Sequence, residues 1–320
     1  MYEYQYFGVS ADNEGGFAMV ARGGGLGVGV PVAQTGCLAP DGSVNINFLQ
    51  APPTPPGGSG AVTYAATDAL YGSITLGFQD GTFSYTNASQ LASGGAQATT
   101  SLVPFADGDC AQSLDGYAIQ SAATEVSEVE DNLLLYLGPA GTVVGLTNWN
   151  ANTLPLSNEI IGMVQPAQAI DLSAVTKLTF KGFYLSEPNN TANLAYFGAS
   201  SAWLTSPVFS QGSTTLVGGN TAFSQYSQPT PATGNILLSF GVQDSNHPGL
   251  FPSATIEEPD PGKVCPAAQR STVKSATYCT FPVVALVGQS YGQYAIFIAG
   301  REPVTSGSLF YTLIQDGSSL

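Results

Sequence analysis

The feature that most constrains the fold is a period-two alternation of apolar and polar residues, interrupted at short intervals by Gly, Asp and Pro. Residues 74–85 read Ile-Thr-Leu-Gly-Phe-Gln-Asp-Gly-Thr-Phe-Ser-Tyr, which places Ile74, Leu76 and Phe78 on one face. Successive side chains of a β-strand point to opposite faces, so this alternation predicts half-buried antiparallel strands. Asp80-Gly81 predicts a two-residue type I′ hairpin turn, because both central residues of that turn take positive φ.

The same pattern recurs along the whole chain. A turn at 40–42 leads into a predicted strand over 44–48, with Asn45 and Asn47 facing outward. The stretch 133–146 predicts another hairpin, since two apolar runs flank Gly-Pro-Ala-Gly. Further strands are predicted over 177–183, 235–242, 281–287, 293–299 and 308–315.

Helical signal is scarce. Ser127 and Glu130 have the spacing of a capping box for one short helix, and 171–175 can form a single turn. The sequence therefore predicts an all-β protein with little helix, built of antiparallel β-sandwich or barrel-like domains, two in number.

Charge divides the chain into two halves. Residues 1–176 hold one base and fifteen acids, whereas 177–320 hold six bases and seven acids. This uneven charge and the weaker strand patterning near 150–175 together predict an acidic N-terminal β domain over 1–160 and a C-terminal β domain over 161–320. The segment Gly-Tyr-Ala-Ile at 116–119 is similar to Gln-Tyr-Ala-Ile at 293–296. This similarity leaves open whether the two halves arose by internal duplication.

Basic side chains are too few for nucleic-acid recognition. The chain has seven Lys and Arg against twenty-two Asp and Glu, and the bases are scattered along it. Phosphate backbones are bound by clustered cations, so nucleic acid is excluded as a predicted partner. His247 is the single histidine, which removes most imidazole chemistry.

Four cysteines fall two in each half, with no C-x-x-C spacing. Two disulfides in an exported protein are the favoured interpretation, and of three connectivities Cys37–Cys110 with Cys265–Cys279 keeps each bridge within one half. Four reduced, buried thiols in a cytosolic protein are the alternative.

A nucleophile-elbow pattern occurs at Gly288-Gln-Ser290-Tyr-Gly292 after an apolar run. The elbow needs a following helix, yet 293–299 reads as a strand. No histidine follows Ser290, so only the order His247, Asp260, Ser290 could form a triad. A glycine-flanked β-turn is the preferred interpretation.

Paired carboxylates offer a second route to hydrolysis. One cluster comprises Glu125, Glu128, Glu130 and Asp131, and another comprises Glu257, Glu258 and Asp260. Both are predicted to lie in exposed, polar stretches, whereas a general acid needs an apolar pocket. The acids at 125–131, or Asp107 and Asp109 with Asp115, also leave calcium binding open as an alternative, although neither set has the full spacing of an EF-hand. No cofactor and no catalytic or metal residue is assigned.

In its segments Tyr6–Phe17 and Ala39–Phe48, and in its overall texture, the chain resembles exported lipoproteins of Gram-negative bacteria, of the Burkholderia type. The resemblance implies a location in the cell envelope and no particular activity. An exported chain is expected to have carried a signal segment before Met1, which leaves room for a lipid-bearing cysteine upstream.

The sequence thus predicts a non-enzymatic, exported envelope or cell-surface protein, located in the periplasm, on the outer membrane surface or outside the cell. Its role is binding or structural, with a protein or glycan partner, and it meets the membrane only through a lost N-terminal lipid anchor. The alternative is a secreted hydrolase that cleaves glycosides or esters with the carboxylates above or with Ser290.

Peptide mass mapping without reduction checks the disulfide prediction. We expect two linked peptide pairs, Cys37–Cys110 and Cys265–Cys279, in protein purified from an oxidising compartment. Four free thiols in such protein would contradict the prediction.

Overall fold

The structure is a computed structural model of the chain. It describes residues 4–9, 16–21, 26–29, 43–50, 70–77, 82–87, 100–104, 115–120, 133–137, 142–146, 159–186, 191–198, 214–222, 236–273, 276–290, 293–301, 303–304 and 307–315. Most of these residues lie in β-strands. The predicted fold class, all-β with little helix, is therefore confirmed, and barrels form instead of sandwiches.

Three strands near the start of the chain form a small antiparallel sheet in the order of the sequence. They are β1 (Tyr4–Val9), β2 (Gly16–Ala21) and β3 (Leu26–Gly29).

The next eight strands close a barrel, called here the first barrel. They are β4 (Ser43–Gln50), β5 (Leu70–Gly77), β6 (Thr82–Asn87), β7 (Thr100–Pro104), β8 (Asp115–Gln120), β9 (Leu133–Leu137), β10 (Thr142–Leu146) and β11 (Glu159–Val164). Each strand pairs antiparallel with the next, and β11 pairs back with β4. The topology is an up-and-down meander, which leaves no open edge.

The β5–β6 hairpin forms as predicted, with Gly77 paired with Thr82 and Ile74 opposite Tyr85. The predicted type I′ turn at Asp80-Gly81 lies outside the described residues. Cross-strand pairs along the two strands stabilise this register.

The last nine strands form a second sheet that also closes on itself. They are β12 (Thr179–Ser186), β13 (Thr191–Gly198), β14 (Thr215–Ala222), β15 (Ile236–Ser239), β16 (Leu250–Pro259), β17 (Arg270–Val273), β18 (Ala276–Ser290), β19 (Gln293–Arg301) and β20 (Ser308–Gln315). β20 pairs with β12, and β16 pairs with β18, so eight strands form a ring, the second barrel. The short β17 adds to the other edge of β18.

Side chains fill the interior of the second barrel. Every strand of its ring contributes to one buried cluster, whose largest members are Phe180, Phe197, Phe251, Phe281 and Tyr311. An eight-stranded barrel is just wide enough for side chains to fill it. The interior is therefore a packed core.

The outer faces of the two barrels meet through a second apolar cluster, called here the junction patch. It consists of Leu49 and Met163 from the first barrel and Leu250, Val284, Leu286, Ala295, Phe297, Ala299 and Phe310 from the second, with Tyr71 packed against it. Gly288 permits the close approach, because a Cβ added there would lie 2.8 Å from Met163 Sδ.

The prediction that Asn47 faces solvent was wrong. Asn45 is exposed, but Asn47 is fully buried, as are its neighbours Ile46 and Phe48 on the opposite face of β4. The outward face of β4 is covered at Asn47 because the second barrel packs there. Alternation reveals which residues share a face, and only tertiary packing decides whether that face meets water.

The connection between the barrels contains the predicted helical turn, α1 (Leu172–Val175). Asp171 is its N-cap, and its carboxylate accepts from the Ser173 N–H at 2.9 Å. Hydrogen bonding from the Ser173 side chain, and then from its backbone N–H, holds the pKa of Asp171 below its usual value. The division into domains at 160 and 161 stays a prediction; β11 ends at Val164, and β12 begins at Thr179.

Replacing Phe297 with Ala tests the junction patch. Phe297 is 1% exposed, so its truncation should lower the free energy of unfolding by about 3–5 kcal/mol. Chemical denaturation provides the measurement. Val242→Ala is the control, since Val242 is 77% exposed and its truncation should change stability by less than about 0.5 kcal/mol. Equal stability of both variants would contradict packing at the junction.

Candidate functional site

Residues 241–249, called here the junction loop, lie between β15 and β16 of the second barrel and contact the first barrel. The loop leads into β16, and the carbonyl oxygen of Gly249 accepts from Val287 N–H at 2.8 Å. Across the junction, Asn47 Nδ2 donates to the carbonyl oxygen of Pro248 at 2.7 Å, and Gln165 Nε2 donates to that of Asn246 at 3.0 Å. The hydrogen bonds of this loop therefore link the two barrels, in addition to the apolar packing of the junction patch.

The side chain of Gln243 secures the loop from within. Its Oε1 accepts from Gly249 N–H at 2.7 Å and from Ile170 N–H at 3.0 Å. Sequence reasoning missed Gln165 and Gln243, because a lone Gln in a polar stretch carries no local signal of its partner.

His247 lies in this loop, beside Asp244. Its Nδ1 is 3.1 Å from Asp244 Oδ1, which also accepts from the backbone N–H groups of Asn246 and His247 at 2.8 and 3.1 Å. This is an Asx-type turn in which a carboxylate holds the local backbone. Burial, and then the charge of Asp244, raises the pKa of Tyr71 above its usual value.

The structure does not bring together His247 and Asp260, two members of the triad order that the sequence left open and did not favour. His247 precedes β16 and Asp260 follows it, so a ten-residue strand separates them. At about 3.3 Å per residue that strand places the two groups roughly 30 Å apart.

Ser290 is the last residue of β18 and is paired with Gln293 at the start of β19. A strand and not a helix follows the Gly-x-Ser-x-Gly pattern, which therefore marks a hairpin, as preferred from the sequence.

The carboxylates of Glu257 and Asp260, from the second cluster, have separate hydrogen-bond partners. The prediction that Asp260 is exposed was wrong. Asp260 is 4% exposed, because its carboxylate turns inward to accept from backbone N–H groups. Glu257 Oε2 instead accepts from the Thr280 hydroxyl at 2.8 Å. Burial, and then the charge of Glu257, raises the pKa of Tyr278.

The first carboxylate cluster, 125–131, lies outside the described residues, as do Asp107, Asp109, Cys37 and Cys110. Asp115 is described only as the first residue of β8. In the described part of the chain, no group of three or more His, Cys, Asp or Glu side chains is placed to hold a metal ion.

Residues 260–269, called here the disulfide loop, follow β16 at the opposite end of that strand from the junction loop. Cys265 and Cys279 form the second of the two predicted disulfides, with their Cα atoms 5.8 Å apart. Asp260 Oδ1 accepts from Val264 N–H at 2.8 Å, and Oδ2 accepts from Cys265 N–H at 3.2 Å.

Arg270 completes the frame of this loop. Its guanidinium donates to the carbonyl oxygens of Lys263 and Cys265, and its Nε lies 3.5 Å from Asp260 Oδ2. Lys263 has a φ of 53°, which non-glycine residues uncommonly adopt. A disulfide, a buried carboxylate and a guanidinium thus fix one short loop.

No helix among the described residues is long and apolar enough to cross a membrane. No protein-family model and no curated protein matches the chain. A crystal structure of a mutant of the vaccine antigen transferrin-binding protein B from Haemophilus parasuis is similar at 7% identity, covering 98% of this chain and 85% of that one. The TM-score of this similarity is 0.25.

Gly249→Ala tests the junction loop. Gly249 has a φ of 89°, and an added Cβ would meet the carbonyl oxygen of Val287, so we expect a loss of about 1–3 kcal/mol in the free energy of unfolding. Gly262→Ala is the matched control, because its Cβ would make an ordinary 3.5 Å contact and should change stability by less than about 0.5 kcal/mol. Thermal and chemical denaturation of both variants provide the comparison, and equal losses would contradict the described loop geometry.

Proposed function

We propose that this protein is an exported, non-enzymatic protein of the cell envelope or cell surface that binds a protein or glycan partner through the loops of its barrels. The observation that carries the proposal is the filled interior of the second barrel. Small-ligand barrels keep a cavity inside, whereas here aromatic side chains such as Phe281 and Tyr311 occupy that space. Contact with a partner then falls to the exterior and the loops.

The disulfide supports export. Cys265 and Cys279 are bonded, and disulfides persist in oxidising compartments, whereas cytosolic thiols are kept reduced. Export as a lipoprotein of the Burkholderia type remains part of the proposal, as the sequence resemblance implies.

The arrangement of the candidate catalytic groups supports binding over hydrolysis. Ser290 ends a strand of a hairpin, and His247 is used within a turn with Asp244. Asp260 holds backbone N–H groups and an arginine. The hydrogen bonds of His247 and Asp260 within their own loops support a binding role over a hydrolytic one.

Trapping thiols in the source cells tests export. Cells are quenched with an alkylating reagent before lysis, and Cys265 and Cys279 should be alkylated only after later reduction. Alkylation of both residues without reduction would contradict export.

A substrate panel tests the non-enzymatic role. The full chain should give no turnover of chromogenic glycosides or esters above the buffer rate, and Ser290→Ala and Glu128→Gln should behave identically to the unaltered protein. Turnover that is lost in either variant would replace the proposal with the hydrolase alternative.

A further inference from the structure

One polar side chain lies buried within the apolar contact between the two barrels. Asn47 is 0% exposed, and on the outer face of the first barrel it lies directly opposite Met163 of β11. Leu49, two residues further along β4, lies on the same face as Asn47. Leu49 and Met163 both belong to the junction patch. An apolar side chain at position 47 would continue that patch, whereas the chain places an amide there.

The hydrogen bonding of Asn47 contributes little to stability. Its Nδ2 donates to the carbonyl oxygen of Pro248 at 2.7 Å, but its Oδ1 is buried and has no hydrogen-bond partner among the described residues. One hydrogen bond adds a small net stabilisation, and a buried acceptor without a donor costs at least as much. Because the two effects oppose each other, the amide is close to neutral for the stability of the fold.

Apolar packing alone does not select one docking angle for the barrels. Hydrophobic contact is non-directional, and apolar surfaces can repack in more than one arrangement when volume and pattern are kept. A hydrogen bond restricts both the distance and the angle between donor and acceptor. A single buried Asn fixes the register of apolar helix pairs in this way, at a cost in stability.

A second amide of the first barrel contacts the same loop two residues away. Gln165 Nε2 donates to the carbonyl oxygen of Asn246 at 3.0 Å, and its backbone N–H donates to that of Asn45 at 2.7 Å. The junction loop presents its carbonyl groups in a fixed geometry, because Asp244 and Gln243 accept from its backbone N–H groups. Two hydrogen bonds to one braced loop define the rotation of the first barrel as well as its position.

We propose that Asn47 is an orientation latch, a buried amide that selects one docking arrangement of the first barrel on the second. Gln165 is the outer contact of the same latch. An arrangement that kept the junction patch together but moved Asn47 away from Pro248 would bury the whole amide without partners, which makes that arrangement unfavourable. This role is a property of the fold and is the same whichever partner the protein binds.

Methyl NMR of the full chain tests the latch. The chain has three methionines, Met1, Met19 and Met163, so methyl-labelled methionine gives few signals, and Met163→Leu assigns the one at the junction. Met163 packs against Gly288 of the second barrel, where an added Cβ would lie 2.8 Å from its Sδ. Its methyl signal therefore reports on the docking arrangement, and we expect one sharp signal from the unaltered protein.

Three variants separate orientation from stability. In Asn47→Val, we expect the Met163 signal to split or to broaden by about twofold or more, while the melting temperature stays within about 3 °C of the unaltered protein. Gln165→Leu should broaden the signal less, since Gln165 lies at the partly exposed rim. Thr272→Val is the matched control, because Thr272 is exposed on β17, and it should change neither quantity.

Three results would overturn the proposal. A single sharp Met163 signal in Asn47→Val would show that apolar packing alone fixes the arrangement. An Asn47→Val variant that melts more than about 3 °C lower, or that does not fold, would make Asn47 an ordinary stabilising group. Equal broadening in Thr272→Val would show that the signal does not depend on the junction.

Discussion

The pairing of β16 with β18 is the interaction on which the second half of the structure depends. It turns an open sheet into a ring and so creates the interior that Phe251, Phe281 and Tyr311 fill. It also places the junction loop at one end of β16 and the disulfide loop at the other. A register shift between Phe251 and Ala254 lets the strand bend within this pairing, as bulges do where sheets close.

Burial on both faces distinguishes the strands at the junction from ordinary barrel strands. Residues 283–288 of β18 are all buried, since one face lines the core and the other meets the first barrel. A strand covered on both sides reads as a continuous apolar run, and Val-Val-Ala-Leu-Val at 283–287 is such a run. That run was a usable signal of the junction, although it could not identify Leu49 and Met163 as its partners.

The two loops at the ends of β16 illustrate two uses of the same chemistry. In the junction loop, Asp244 holds a turn whose carbonyl oxygens accept hydrogen bonds from the first barrel. In the disulfide loop, Asp260 holds a turn that faces solvent. Asp260 was one of the candidate acids in the sequence, and both Asp244 and Asp260 are backbone anchors in the structure.

The sequence by itself determined the all-β class, the approximate positions of the strands with clear alternation, two hairpins and the helical turn at 172–175, because these follow from local periodicity. It favoured the Cys265–Cys279 pairing among three connectivities, because that pairing keeps each bridge within one half of the chain. Tertiary structure decided the closure of the barrels, the burial of Asn47 and Asp260, and the separation of His247 from Asp260. These depend on contacts between residues far apart in the chain, and alternation fixes which side chains share a face without fixing what covers that face.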